Sequence, residues 1–263
     1  MRIWRDSADV PRAGRGRAVA IGAFDGVHRG HAAVLRLVHD LASARRLSAT
    51  VLTFDRHPAE VVRPQSAPCL LTQLDQKLEL LAATGLAEEC LVLPFDEARS
   101  KESAEEFVEE VLAGVLQARL VVVGADFHFG HRRHGDVPLL QRMGAELGFE
   151  VLGLGLVAAP DGITPTPDAL PYSSTRVRNA LAAGDLATAA DVLGRPYELH
   201  GTLAGNRFVV PERVCIPAAG VYPAELVTGA QTLAVTVTVG DAVIVDRAPD
   251  AGAAALRFIA PNE

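Results

Sequence analysis

The stretch AVAIGAFDGVHRGH, residues 18–31, decides the fold of this chain. Its apolar start predicts a buried strand that ends at Gly22, and the turn through Asp25 and Gly26 leads into a helix. Small residues at a strand-to-helix turn let backbone N–H groups approach a ligand closely. The partial positive charge at the helix N-terminus suits a phosphate.

Two histidines, His28 and His31, flank Gly30 at the predicted helix start. Their imidazoles add donors for phosphate oxygens, which is what an enzyme that breaks a nucleoside triphosphate needs. Two other interpretations stay open at this point: a helix cap or surface feature, and a metal site, since His-x-x-His can chelate. No Cys pair or Glu-rich helix follows at zinc spacing nearby.

The composition indicates a soluble cytoplasmic protein. The 263 residues are 49% hydrophobic and have a formal net charge of −7, which argues against a nucleic-acid partner. Cys69, Cys90 and Cys215 are odd in number and unpaired in spacing, which favours a reducing compartment over a disulfide framework. No signal sequence or membrane-spanning run is predicted, so no membrane partner is expected. The oligomeric state is left open.

Strand and helix patterns alternate, which predicts an α/β fold with a Rossmann-like parallel sheet. The predicted strands are 18–24, 49–54, 90–95, 120–127 and 150–157, and the helices are 30–46, 73–83, 104–117 and 137–147. The strands are almost continuously apolar, as expected for strands covered on both faces. Ligands bind at the carboxyl ends of such strands, where every motif discussed here falls.

A change of composition near residue 195 predicts a domain boundary, with an α/β domain over 1–195 and a small all-β module over 196–263. A Pro-rich loop (160–171) and two short helices (174–183 and 187–193) precede it. TLAVTVTVG and AVIVD then predict strands joined by a hairpin turn at Gly240 and Asp241.

The segment VVVGADFHFGHRRHGD, residues 121–136, is the second candidate site. Gly124 permits tight backbone geometry, Asp126 can accept from a ribose or an adenine amine, and Phe127 and Phe129 offer flat surface beside a ring. His131, Arg132 and Arg133 concentrate cationic groups and favour an anion. A solvated basic loop is the alternative. A second alternative is a metal site on His128, His131 and His134, although the adjacent guanidinium charges oppose a cation.

The third candidate is YSSTRVRNALAAGD, residues 172–185. Hydroxyls of Ser173, Ser174 and Thr175 lie just before a helix, and Arg176 and Arg178 follow. A plain N-cap with surface arginines would explain the same residues. Three phosphate-competent segments at strand ends together favour a nucleotide site.

GAFDGVHRGH, VLTFDRHP, VVGADFHFGHRRHGD and YSSTRVRNALAAGDLATAADVLGRPY together resemble, in order, the signatures of the prokaryotic bifunctional riboflavin kinase/FAD synthetase family. The first and last of these, taken without the others, resemble only the wider HxGH nucleotidyltransferase superfamily, and the two middle segments narrow the resemblance to the FAD synthetase type. The resemblance covers about residues 17–200. It implies an FMN adenylyltransferase that uses ATP and Mg²⁺, releases pyrophosphate and makes FAD from FMN. Because the FMN phosphate is already a nucleophile, positioning and charge stabilisation would carry catalysis.

The resemblance also implies roles for individual residues. The catalytic set is His28, His31 and Arg178. The nucleotide-binding set is Gly22, Ala23, Phe24, Asp25, Gly26, Gly124, Asp126, Ser174 and Thr175. The flavin-binding set is Phe54, His57, Pro58, Phe127, Phe129 and Arg133. No protein ligand for the metal is expected.

The C-terminal module departs from the family. GVYPAEL (220–226) resembles a strand of the riboflavin kinase barrel, but no GFPTAN segment occurs, and the catalytic glutamate and closing helix are not found. A shortened barrel without riboflavin kinase activity is therefore expected. Two other functions stay open: a related nucleotidyltransferase with another phosphorylated substrate or nucleotide such as CTP, and a non-catalytic flavin- or nucleotide-binding protein.

Overall fold

A computed structural model describes residues 1–11, 14–155, 171–229, 231–249 and 251–260. The chain divides into two compact units. Unit 1 combines Met1–Ala67 with Leu78–Pro171, and unit 2 combines Pro68–Lys77 with Tyr172–Glu263. The unit border after residue 171 differs from the boundary near residue 195 that composition suggests, and the latter stays a prediction.

Unit 1 contains a six-stranded parallel sheet with the order β1-β4-β3-β2-β5-β6. Its strands are β1 (Arg2–Trp4), β2 (Arg17–Ile21), β3 (Ser48–Phe54), β4 (Glu89–Leu93), β5 (Ala118–Gly124) and β6 (Glu150–Leu154). Every residue of β2 is buried, so both faces of the sheet centre are covered. The predicted Rossmann-like α/β fold is confirmed.

Helices alternate with these strands. They are α1 (Arg29–Arg45), α2 (Pro58–Val62), α3 (Leu74–Ala83), α4 (Glu97–Ser100), α5 (Ala104–Glu106), a π-helical stretch (Phe107–Val115) and α6 (Val137–Leu147). Val19 and Ile21 of β2 pack in one core with Leu112 of the π-helical stretch and Leu140 of α6. Alternate strand residues such as Ala18 and Ala20 are also fully buried, and must lie on the opposite face of the sheet.

Several strands end earlier than predicted. β2 ends at Ile21 rather than at residue 24, because Phe24 has a left-handed backbone with φ of 51°. β5 ends at Gly124, before the turn that carries Asp126. Residues 156–157 of the predicted fifth strand and residues 160–170 of the Pro-rich loop lie outside the described residues.

Unit 2 contains two helices and a closed six-stranded antiparallel barrel. The helices are α7 (Ser174–Ala183) and α8 (Leu186–Leu193), and the strands are β7 (Glu198–Ala204), β8 (Arg207–Val209), β9 (Gly220–Val227), β10 (Thr232–Val239), β11 (Val243–Val245) and β12 (Gly252–Phe258). The barrel order is β10-β11-β8-β7-β12-β9. Val239 pairs with Val243 across the predicted turn at Gly240 and Asp241, which confirms that hairpin.

The cysteines correct one prediction. Cys69 and Cys215 form a disulfide within unit 2, and Cys90, which is buried in β4, is not part of a disulfide. The expectation that the cysteines form no disulfide framework is therefore wrong for this pair. The partners are 146 residues apart in sequence, so their spacing gave no sign of the pairing.

No helix in the described parts of the chain is both long and apolar enough to cross a membrane.

Candidate active site

The turn after β2 has an unusual backbone. Phe24, Gly26 and Val27 have φ angles of 51°, 83° and 40°, all in the left-handed region. That region is costly for any residue with a Cβ, and most of all for a β-branched one such as Val27. Burial of the Phe24 and Val27 side chains and a 3.2 Å hydrogen bond from Thr53 Oγ1 to the Ala23 carbonyl hold the turn. Such strain persists where surrounding packing enforces it, commonly at ligand sites.

His28 and His31 form a reciprocal cap at the start of α1. The backbone N–H of His31 donates to Nδ1 of His28, and the backbone N–H of His28 donates to Nδ1 of His31, both at 3.3 Å. The rings stack with centroids 3.6 Å apart and planes 21° apart. Because each Nδ1 accepts a hydrogen bond, the proton of each neutral ring is on Nε2. Both rings are therefore Nε2–H donors beside the positive end of a 17-residue helix.

Other predicted nucleotide-binding residues surround this pair. Asp25 is 6% exposed, and the Phe24 ring lies 5.1 Å from the His31 ring between centroids. A Cβ on Gly22 would come within 3.3 Å of the Phe24 ring, so a larger residue there would push the ring. The helix-cap interpretation of the histidines is thus correct as local structure. It is compatible with a phosphate site, because capping engages only Nδ1.

The end of β3 supplies an acidic side chain. Phe95 N–H donates to Asp55 Oδ1 at 2.8 Å, and Arg56 Nη2 donates to Asp55 Oδ2 at 3.1 Å. Partial burial of the Asp55 carboxyl opposes its ionisation, but the Phe95 N–H and the Arg56 guanidinium together hold its pKa below the usual value. The Phe54 and Phe95 rings meet edge to face, with centroids 5.3 Å apart.

His57, a predicted flavin-binding residue, is the N-cap of α2. Its Nδ1 accepts from Ala59 N–H at 3.1 Å, while Glu60 accepts from the His57 backbone N–H at 2.8 Å. Pro58 opens the helix, where its missing N–H costs nothing. His57 and Pro58 therefore start α2 and so set the direction of the chain after β3.

The turn after β5 brings Gly124 and Asp126 together. Phe127 N–H donates to the Gly124 carbonyl at 3.0 Å, and a Cβ on Gly124 would lie only 2.9 Å from Asp126 Oδ1. The Asp126 side chain is exposed at the carboxyl end of the strand. A residue larger than glycine at 124 would displace this carboxylate.

The two phenylalanines of this segment differ in environment. Phe129 is 9% exposed and packs in the core with Phe107 at a centroid distance of 5.7 Å. Phe127 stacks on Phe129 at 5.3 Å and is only partly buried. Phe127 is thus the ring with surface to offer a ligand, and Phe129 supports it from below.

Arg132 and Arg133 lie side by side on an exposed turn, with left-handed φ angles of 53° and 60°. His131 fixes the turn, since its N–H donates to the Glu102 carbonyl at 2.7 Å and its Nδ1 to the Ser100 carbonyl at 3.1 Å. Gly130 allows the close approach, because a Cβ there would lie 2.6 Å from the Ala104 nitrogen. The turn therefore holds two cationic side chains beside the end of β5.

The metal interpretation of these histidines gains no support. Nδ1 of His128 is 2.8 Å from the Asp126 carbonyl, and Nδ1 of His131 donates to Ser100. Across the described residues, no group of three or more His, Cys, Asp or Glu side chains is placed to hold a metal ion.

Unit 2 carries the third predicted segment at the N-terminus of α7. Ser173 is the N-cap and accepts from Arg176 N–H at 3.2 Å, so Ser174 and Thr175 occupy the first helical turn. Arg178, one turn later, donates from Nε to the Cys69 carbonyl at 2.7 Å. The predicted serine, threonine and arginine therefore lie along one helical start, as their sequence order suggests.

The predicted residues thus fall into two groups. Unit 1 brings together the turns that follow β2, β3 and β5, and unit 2 holds the start of α7. Sequence reasoning did not single out Asp55 or Phe95, whose mutual contact ties the ends of β3 and β4 together. The signal was available, because Asp55 directly follows the predicted strand 49–54 and Phe95 ends the predicted strand 90–95, both at carboxyl ends.

Comparison with known proteins places this geometry in context. A protein-family model described as FAD synthetase matches residues 10–162. The bifunctional riboflavin kinase/FMN adenylyltransferase of Escherichia coli K12 is 35% identical over 222 residues, which cover 80% of this chain and 68% of that protein. The protein of the same name from Pseudomonas fluorescens is 37% identical over 222 residues, covering 79% and 67%.

A solved structure shares the fold. The crystal structure of a protein titled a macrolide-efflux protein from Streptococcus pneumoniae has a TM-score of 0.78 and 23% sequence identity. The match covers 97% of this chain and 88% of that one. At this identity the likeness shows the fold alone.

Proposed function

The chain belongs to the FAD synthetase family, and on that premise we propose that it is an FMN adenylyltransferase, which transfers AMP from ATP to FMN. The observation that carries the proposal is the stacked His28–His31 pair at the N-terminus of α1. Two Nε2–H donors and the positive end of a helix at one strand end suit a triphosphate.

The reaction needs no covalent intermediate. A phosphate oxygen of FMN attacks the α-phosphorus of ATP, the new P–O bond forms, and the bond between α-phosphorus and the bridging oxygen breaks to release pyrophosphate. The FMN phosphate is already ionised at neutral pH, so no side chain has to remove a proton from it. Catalysis then depends on positioning the two phosphates and stabilising the charge that grows on the leaving group.

We assign charge stabilisation to His28 and His31. Their Nε2–H groups would donate to the phosphate oxygens nearest the breaking bond, and the reciprocal cap keeps both rings from rotating. Preorganised donors of this kind cost no reorganisation as charge develops. Gly22, Ala23, Phe24, Asp25 and Gly26 would line the nucleotide in the same turn.

We assign adenosine recognition to the turn after β5. Gly124 lets the chain lie close to the nucleotide, and the exposed Asp126 carboxylate can accept from a ribose hydroxyl or an adenine amine. Ser174, Thr175 and Arg178 of unit 2 would bind triphosphate oxygens, with hydroxyl and guanidinium donors at a helix start.

We assign flavin recognition to Phe54, His57, Pro58, Phe127, Phe129 and Arg133. Phe127 offers ring surface for an isoalloxazine, while Phe129 fixes the Phe127 ring by stacking. The Arg133 guanidinium would form an ion pair with the FMN phosphate.

Magnesium enters this proposal as part of the substrate MgATP. We propose that phosphate oxygens and water hold the ion, as Mg²⁺ is commonly bound in sites that transfer phosphoryl groups. We also propose a cytoplasmic location, where ATP is made and used.

We propose that the barrel does not phosphorylate riboflavin. The family's GFPTAN segment is absent from the start of this module, where the chain reads LHGTLAGNRFVVPERVCIPAAGVYPAELV over residues 199–227.

The test is product analysis of the purified protein with MgATP and FMN. We expect FAD and pyrophosphate in equal amounts, and no FMN from riboflavin. The matched control is a variant with both His28→Asn and His31→Asn, which should give no FAD. Pyrophosphate release with CTP or another phosphorylated acceptor, but not with ATP and FMN, would refute the assigned substrates. Nucleotide binding without any turnover would refute catalysis altogether.

A further inference from the structure

The disulfide lies at a point where two distant segments of unit 2 already meet. Leu70 N–H donates to the Arg213 carbonyl at 2.7 Å, and Cys215 N–H donates to the Leu70 carbonyl at 2.8 Å. Cys69 and Cys215 are joined beside these bonds, with Cα atoms 5.1 Å apart. The backbone therefore holds the two sulfur atoms near each other even when the covalent bond is broken.

The same segment contacts the start of α7. Arg178 Nε donates to the carbonyl oxygen of Cys69 at 2.7 Å. A guanidinium is planar, so a hydrogen bond at Nε fixes the direction in which its Nη groups point. The position of the Cys69 main chain thus sets the orientation of the Arg178 side chain.

We propose that the Cys69–Cys215 disulfide is a redox-sensitive positioning element for Arg178. In the oxidised protein the disulfide adds a covalent tether to the Cys69 main chain, whose carbonyl Arg178 Nε contacts. In the reduced protein that tether is gone and the hydrogen bond from Leu70 N–H to the Arg213 carbonyl holds that peptide plane, so the carbonyl moves over a wider range. This inference rests on the proposed function, in which Arg178 binds the triphosphate of ATP.

Exposure makes the bond open to exchange. Cys69 is exposed, whereas Cys215 is 4% exposed. A thiolate of a small dithiol or of a thioredoxin-type protein attacks the Cys69 sulfur, the S–S bond breaks, and Cys215 leaves as a thiolate that takes a proton. The second thiol of the reductant then attacks the mixed disulfide, which releases the Cys69 thiolate and leaves the reductant as a disulfide. Disulfides found in reducing compartments are usually catalytic or redox-sensing.

The expected effect is on ATP binding and not on the chemical step. The hydrogen bonds of Leu70 and Cys215 persist after reduction, so the segment stays in place with more freedom. Arg178 then spends less time in its binding orientation. We expect reduction to raise the KM for ATP about fivefold, with kcat and the KM for FMN unchanged.

The experiment compares the full chain after treatment with oxidised glutathione and after treatment with dithiothreitol. Thiol titration of the unfolded protein should give one thiol in the first case and three in the second, since the chain has three cysteines. The double variant Cys69→Ser with Cys215→Ser should have the KM of the reduced protein in both treatments. Cys90→Ala is the matched control, because it removes the cysteine that lies outside the disulfide and should keep the full redox response.

The variant Arg178→Lys tests whether the redox effect acts through the orientation of the Arg178 side chain or only through the stability of unit 2. A lysine lacks the Nε–H donor and the planar fork, so its KM for ATP should be high and equal in both redox states. Equal KM values for the oxidised and reduced natural protein would overturn the proposal, as would three thiols after oxidation. A redox response that persists in Arg178→Lys would also overturn it.

MgATP affinity measured by calorimetry distinguishes the two proposals. If no FAD forms in either state, the proposed function fails. A change in MgATP affinity between the oxidised and reduced proteins would then still support redox positioning, and equal affinities would reject it.

Discussion

Nδ1 of His28 and Nδ1 of His31 each accept the other residue's backbone N–H, and the two rings stack 3.6 Å apart. Each histidine thus has two tasks on two different nitrogen atoms. Nδ1 caps the helix, and Nε2 is the donor that we assign to the triphosphate. The two tasks can be separated by choosing the replacement residue.

Asparagine at position 28 should keep the cap through Oδ1, while its shorter side chain has no donor at the position of the His28 Nε2. Asn is among the best N-cap residues, so His28→Asn should unfold near the natural temperature. Its rate of FAD formation should fall by about 10²-fold, because one preorganised donor is lost. His28→Ala should lose the same activity and also about 1 kcal/mol of stability. Rate and thermal unfolding measured on both variants check this, and a fully active His28→Asn would contradict the donor role.

Gly130 should be far less tolerant of alanine than Gly85, although both have positive φ angles, of 70° and 67°. A Cβ at 130 would lie 2.6 Å from the Ala104 nitrogen, whereas nothing lies within 4 Å of one at 85. Gly85→Ala should therefore lower the free energy of unfolding by only about 1 kcal/mol, which is the cost of a left-handed backbone for a residue with a Cβ. Gly130→Ala should add about 1–3 kcal/mol of overpacking and weaken FMN binding. Chemical denaturation of both variants decides it, and equal losses would disprove the steric argument.

Elements with strong local signals were predictable. The helix over 137–147 matches α6 residue for residue, because Asp136 caps it, Pro138 lies in its first turn and Gly148 ends it with φ of 84°. The S-x-x-E pattern from Ser103 to Glu106 is another local signal, and it forms a capping box in which Glu106 N–H donates to Ser103 Oγ at 3.0 Å. These signals operate within a few residues, so one sequence displays them.

Features that depend on distant partners were missed. β1 has three residues and forms only because Arg2, Ile3 and Trp4 pair with β4. The disulfide joins residues 146 positions apart. Similarly, residues in the turns after β2, β3 and β5 were identified from their chemistry, except Asp55, whose contact with Phe95 needed the register of β3 against β4.

The ionised Glu198 carboxylate should stabilise unit 2 at neutral pH, and this stabilisation should be lost in acid. The His200 side-chain hydrogen bond, at 2.7 Å, and the charge of Arg257 hold the pKa of Glu198 below its usual value, against the opposing effect of burial. A carboxyl with a lowered folded-state pKa contributes stability above its unfolded pKa of about 4.3 and loses it as the pH falls through the folded value.

The variant Glu198→Gln tests this dependence. It should be less stable than the natural protein at pH 7, and the difference should shrink as the pH falls below about 4. Exposed Glu212→Gln removes one negative charge from the same unit and should leave the pH profile unchanged. Thermal unfolding between pH 3 and 7 measures both, and a constant difference for Glu198→Gln would contradict the linkage.

Substitution of Phe127 should mainly weaken FMN binding, whereas substitution of Phe129 should mainly lower the stability of the fold. Phe129 lies in the core against Phe107, so Phe129→Ala should cost about 3–5 kcal/mol of unfolding free energy. Phe127 is partly exposed and stacks on Phe129, so Phe127→Ala should cost less stability and raise the KM for FMN. Phe127→Leu retains apolar area without an aromatic face, and it should bind FMN as weakly as the alanine variant if ring stacking is the interaction. Natural FMN affinity in Phe127→Leu would show that apolar contact alone is sufficient at this position.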